Sequence, residues 1–217
     1  ITRTYGKWSL FGSAIKDGVL DIRPWIIKLL VNTEAVALYS VAETMYSTLK
    51  KFYPTNTFST FVSRIVQASH QRSVDIVLRS IKYLFLFNLV LFVFGLMAVP
   101  LVTLLLIPHY RGSIPLFLVI LLTLPSLAFR SPTRAFLVAL RRQRFLFIFQ
   151  VYTIVSALVF PFFLLPIFGV MGMAIERVIS ATTVTSLQFW YLTIRRDIPF
   201  SLWGRLFRLD KEDKRFF

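Results

Sequence analysis

YLFLFNLVLFVFGLMAVPLVTLLLIPHY, residues 83–110, contains no Asp, Glu, Lys or Arg. A helix needs about 20 apolar residues to cross a bilayer, so this run is long enough to span one. It is continuously apolar and lacks the alternation that a lipid-facing barrel strand requires, which predicts a helix. The rest of the chain agrees with a membrane setting. It is 56% hydrophobic, contains 23 Phe among 217 residues, and has a mean hydropathy of +0.69. A soluble domain of this size has no room to hide that much apolar surface.

Outward from residues 83–110, the same reading segments the whole chain. Before it lie span one (Trp8–Val31), the polar turn Asn32-Thr33-Glu34, and a second span from about Ala35 that Pro54 ends or kinks. Residues 58–79 carry spaced basic residues and read as a helical extension and an interfacial loop. After residues 83–110, Pro108 and Gly112 mark a turn. Span four runs from about Ile114 to Leu140 with Pro115, Pro125 and Pro132 inside it, and Arg141, Arg142 and Arg144 close it. Span five covers Phe145 to about Leu165, PIFGVMG forms a hairpin, and span six covers Met171–Ile194. The expected fold is all-α: a polytopic bundle of six transmembrane helices over residues 1–195, with a short basic cytoplasmic tail at 196–217. Of the 25 Lys and Arg residues, 18 fall in the connections and ends on one side and only Arg111 on the other. Positive charge marks the cytoplasmic side, so both termini are placed there and the protein in the cytoplasmic membrane.

The net charge of +15 has the same explanation. The basic residues sit between apolar blocks and not on a soluble face, so nucleic acid is not expected as a partner. With no Cys there is no thiolate metal site or Cys nucleophile, and the two His lie in separate loops. No metal and no cofactor are expected. The P-loop, dinucleotide-binding, zinc-protease and serine-hydrolase signatures are all missing, and the ten acidic residues form no DxD-type cluster. The chain does not read as an enzyme.

The chemistry lies in charges inside spans. Span one carries Lys16, Asp17, Asp21, Arg23 and Lys28. Intramembrane charge is costly and is retained where it faces a partner or a wet cavity. At helical pitch Asp17, Asp21 and Lys28 lie within about 40° of one another. On span two Tyr39, Glu43, Tyr46, Lys50 and Tyr53 recur at spacings of four and three and form one stripe. It is either a cavity wall, with tyrosines to stack on sugar rings, or an interfacial aromatic belt with a snorkelling Lys. Arg130 and Arg134 are four apart and share a face. Arg130 lies about 15 Å along the helix from Arg141, near mid-bilayer. An Arg there suits a phosphate or a structural partner among Asp17, Asp21 and Glu43. Glu176 and Arg177 lie near the outer hairpin and read as interfacial.

Several segments together resemble the C-terminal six-helix lobe of the multidrug/oligosaccharidyl-lipid/polysaccharide flippases, in particular the Wzx-like O-antigen and polysaccharide exporters. They are GSAIKDGVLDIRPWII (12–27), NTEAVALYSVAETMYSTL (32–49), STFVSRIVQA (59–68) and the long run from Pro132 to Ser180. Tyr39, Ser40 and Ala42 match the start of the second helix, and Pro166, Phe168, Gly169 and Gly172 match the hairpin. Met173, Glu176 and Arg177 depart from the small residues usual after that hairpin. The resemblance implies half of a two-lobe MATE-like transporter with an alternating-access cavity, a lipid-linked glycan as substrate, membrane lipids as surroundings and an N-terminal six-helix lobe as missing partner. On that view Lys28, Arg130, Arg134, Tyr39, Glu43, Tyr46 and Lys50 are the candidate substrate-binding residues. Asp17, Asp21 and Glu43 are the candidates for ion coupling. The alternatives are a MATE-type drug/cation antiporter fragment, which needs a cavity dominated by acids and aromatics, and a membrane-embedded glycosyltransferase-type enzyme, which needs acidic metal or sugar-nucleotide ligands.

Overall fold

The computed structural model describes residues 22–54, 65, 70–195 and 198. Span one before Ile22, with Asp17 and Asp21, and the basic tail apart from Ile198, lie outside the described residues. Among the described residues the protein is all-helical, with no strand. Residues 22–30 are helical. They are followed by α1 (Thr33–Lys51), α2 (His70–Leu106), α3 (Ser113–Leu121), α4 (Leu124–Ala139), α5 (Gln143–Phe168) and α6 (Met171–Ile194).

Three stretches are long and apolar enough to cross a membrane: Gln71–Leu106, Ser113–Ala139 and Arg144–Phe168. Their outer faces confirm what the composition requires. On α2, Val90 is 67% exposed, Met97 73% and Leu105 72%, a surface that only lipid would solvate cheaply. Helix α1 and helix α6 lack that apolarity. Helix α1 carries Glu34, Glu43, Lys50 and Lys51, and α6 carries Glu176, Arg177 and several Thr.

Local signals explain most boundaries. The Asn32 side chain caps α1 by accepting from the Ala35 amide at 2.7 Å, with Glu34 in the first turn and Lys50 and Lys51 in the last, complementary to the helix dipole. Helix α2 begins at His70, well before Tyr83, so the second half of the expected connector is helix. Its 37 residues make it about 55 Å long, more than a bilayer core needs. A short 3-10 turn, Pro108–Tyr110, follows it. Expected span four is not one helix. It breaks at Leu122 and Thr123, whose amides make tight bonds to Val119 and Ile120 carbonyls at 3.1 and 3.0 Å. Pro125 is the cause: it has no amide hydrogen for the ladder and crowds the residues before it.

Helix α4 ends in a two-bond cap: the Arg141 amide donates to Val138 at 3.0 Å and the Arg142 amide to Leu137 at 2.9 Å. Such a cap puts its penultimate residue in the left-handed region, normally glycine; here it is Arg141, at φ 56°. The α5–α6 hairpin turns at Gly169, whose φ of 58° and ψ of −147° suit glycine almost alone. Pro166 lies inside the last turn of α5 and not in the turn itself.

The helices enclose two main apolar clusters. One joins α1 and α3 with Leu91, Leu165, Met173 and Ala174. The other joins the start of α2, Ala135–Leu137 of α4, Phe149 of α5 and the C-terminal half of α6. Between these clusters lie Arg130 of α4, Thr153 of α5, and Arg177 and Ser180 of α6.

Candidate functional site: a cation-rich cavity between the two clusters

A cavity of about 470 Å³ opens where the clusters separate. Arg23 and Pro24 of the 22–30 segment form part of its wall. Helix α1 adds Tyr39, Ser40, Glu43, Thr44, Tyr46 and Lys50. Thr123 comes from the helix break, Ser126, Leu127 and Arg130 from α4, Thr153 from α5, and Arg177, Ser180 and Ala181 from α6. Helix α2 contributes nothing to it.

Two ion pairs organise the wall. Arg23 donates through Nη2 to Glu176 Oε2 at 3.0 Å, with Glu176 0% exposed. Arg177 pairs with Glu43 across the α1–α6 interface, and its guanidinium lies 4.5 Å from the centre of the Tyr46 ring. Glu176 and Arg177 are sequence neighbours that point apart on a helix, so each finds a partner on a different element. Hydroxyl contacts hold the remaining elements together. Tyr46 and Thr123 share a 2.8 Å hydrogen bond that ties α1 to the broken helix. Ser156 and Ser180 meet at 2.9 Å between α5 and α6. Thr133 donates to Gln188 at 3.0 Å between α4 and α6.

Lys50 and Arg130 stand apart from these pairs. Both line the cavity and lie close enough to repel one another. Among the described residues neither has a carboxylate partner. Among the described residues the carboxylates in or behind the wall, Glu43 and Glu176, are each matched to an arginine, which leaves Lys50 and Arg130 as cations in excess. The cavity suits an anion flanked by hydroxyls and aromatic rings.

Of the residues singled out from the sequence, Tyr39, Glu43, Tyr46, Lys50 and Arg130 come together here. The stripe on α1 is a cavity wall over its first four members. Its fifth, Tyr53, is buried elsewhere, its hydroxyl donating to the Leu127 carbonyl at 3.3 Å. Arg134 is exposed and does not line the cavity, although it shares the helix face of Arg130. Lys28 is also exposed and stands 5.8 Å from the Trp25 ring centre, outside the cavity. Of the three acids read from the sequence as structural partners for Arg130, Glu43 is paired with Arg177, and Asp17 and Asp21 lie outside the described residues.

Sequence reasoning misses Arg23, Arg177 and Glu176 as parts of one site. Their signal was charge on helices that otherwise read as spans, and the interfacial reading of Glu176 fails because that side chain is fully buried. The hydroxyls of Thr123, Ser126, Thr153 and Ser180 carry no sequence signal at all. No family model, curated protein or solved structure matches the chain.

Proposed function

We propose that this chain is one six-helix lobe of a flippase in the cytoplasmic membrane, moving an anionic lipid-linked glycan between leaflets. The observation that carries the reading is the pair Lys50 and Arg130, two cations that have no carboxylate partner among the described residues and that line a hydroxyl-bearing cavity of a membrane protein. A phosphate or diphosphate linking lipid to sugar would satisfy both, with Arg130 able to make a two-pronged contact. Tyr39 and Tyr46 supply aromatic surface for a sugar ring, and the lipid tail stays in the bilayer beside α2. No bond is made or broken, so no catalytic group is needed. The resemblance read from the sequence supplies the two-lobe arrangement, the six spans and the second lobe as partner. A drug/cation antiporter fits less well, because a cation carrier needs an unmatched acid, and among the described residues the two carboxylates at the cavity, Glu43 and Glu176, are paired.

Export by the full-length protein tests this. Lys50→Gln and Arg130→Gln should abolish export while membrane abundance stays unchanged. Lys50→Arg should retain part of it. Arg130→Lys should retain less, because an ammonium does not reproduce the planar fork. Normal export per molecule in both Gln variants would refute the reading.

A further inference from the structure

We infer that Glu43 is a proton-binding site linked to anion binding: an anion seated at Lys50 and Arg130 draws Arg177 away from Glu43, and the freed carboxylate takes up a proton. The inference rests on the reading of the cavity as an anion site and adds its regulation.

The two carboxylates at the cavity differ in what surrounds them. Glu176 is 0% exposed and clasped by Arg23, so it has no route to solvent. The Glu43 side chain is 36% exposed on the cavity wall, although its Oε2, which faces Arg177, is buried. Its partner Arg177 rests on the Tyr46 ring at 4.5 Å. A ring face attracts a guanidinium without fixing the direction of its N–H groups. Held on that face, Arg177 can exchange Glu43 for a bound anion without leaving the ring.

Among the described residues the charges that share the cavity with Glu43 are Arg177 from α6, Arg23 from the 22–30 segment, Arg130 from α4 and Lys50 from α1, with Tyr39 and Tyr46 also on the wall. Helix α5 and the helix break offer only Thr153 and Thr123. Among the described residues these four cations outnumber Glu43 and Glu176. A dianion uses up the surplus at Lys50 and Arg130 and competes for Arg177. Glu43 then faces a like charge in a poorly solvated space, which favours its neutral form. The proton comes from water onto a carboxylate oxygen of Glu43 and returns to water when the anion leaves and Arg177 swings back.

Inorganic sulfate is the probe, since it remains a tetrahedral dianion across the working pH range and its own titration adds nothing. Calorimetry on the full-length protein in detergent, in two buffers of different ionisation heat, reads the protons taken up per sulfate bound. The expected result is uptake approaching one proton per sulfate, with affinity rising up to about tenfold per unit fall in pH while Glu43 is ionised in the free protein. Lys50→Gln should lose sulfate binding, and Glu43→Gln should lose the proton uptake and the pH slope together. Sulfate binding without proton uptake overturns the exchange and leaves the anion site standing; no sulfate binding overturns both. Uptake that persists in Glu43→Gln overturns the assignment to Glu43. If that variant does not fold, the infrared difference spectrum of the unaltered protein on sulfate addition decides. A new protonated-carboxyl band supports the exchange, and its absence overturns it.

Discussion

Breaking the Arg23–Glu176 pair from one side should destabilise the protein far more than deleting the pair. The pair is 3.0 Å long, with the Arg23 side chain 9% and Glu176 0% exposed, so water screens it little. At about 4 Å between charge centres and an effective dielectric constant near 20, the attraction is about 4 kcal/mol. Desolvating each ion costs several kcal/mol, so the net contribution of the intact pair is close to zero. Arg23→Met removes the attraction and leaves the carboxylate buried without its partner, at a cost of about 3–5 kcal/mol. Glu176→Met strands the guanidinium at similar cost. The double variant leaves two apolar side chains of similar volume and should lie within about 1 kcal/mol of the parent. The assay is unfolding in mixed micelles titrated with a denaturing detergent, followed by fluorescence of the four tryptophans. The double-variant cycle should return a coupling of several kcal/mol. Additive single effects, or a double variant as unstable as their sum, would refute the reasoning. Glu43→Gln gives the contrast: that side chain is 36% exposed, and its loss should cost only about 1 kcal/mol.

Four further outcomes follow from the backbone and the topology. Gly172→Ala should loosen the α5–α6 hairpin, because a Cβ there would sit 2.4 Å from the Leu164 carbonyl oxygen; crosslinking between cysteines at Ser156 and Ser180 should become less efficient. Gly169→Ala meets no neighbour but forces a side chain onto φ +58°, and the same unfolding assay should show a loss of about 1–3 kcal/mol. Arg141→Gly should do the reverse, stabilising by about 1 kcal/mol by relieving a non-glycine left-handed cap at φ 56°. In the six-span arrangement, a cysteine replacing exposed Arg111 should react with an impermeant reagent in intact cells, while one replacing exposed Lys51 should not; the opposite pattern would invert the topology.

The sequence by itself determined the solvent and the class of fold. Twenty-eight residues without a formal charge at 83–110, and a composition too apolar for water, permit only helices in lipid. Spacing alone put Tyr39, Glu43, Tyr46 and Lys50 on one face of α1, since helical pitch is a local property. The polar turn at Asn32 and the glycine of the α5–α6 hairpin were equally legible, because each answers to a few consecutive residues. Helix breakage at Thr123 had a signal in Pro125, yet a proline alone does not say whether a helix kinks, ends or divides. The helical cap at Arg141 had no signal, for the residue that normally announces it is glycine.

Only the tertiary structure decided which charges are spent and which are left. Arg23 and Glu176 are 153 positions apart, and no local rule joins them. Arg177 takes Glu43, which leaves Arg130 and Lys50 as cavity cations with no carboxylate partner among the described residues; a sequence reader could equally assign Glu43 to Arg130. Arg134 shares a helix face with Arg130 and still lies outside the cavity. One more helical turn, about 6 Å along the axis, carries it past the polar gap to the level where Ala135, Phe136 and Leu137 seal α4 into the second apolar cluster. Pairing of buried charges is settled by which helices touch and at what height, and that is a property of the packed bundle.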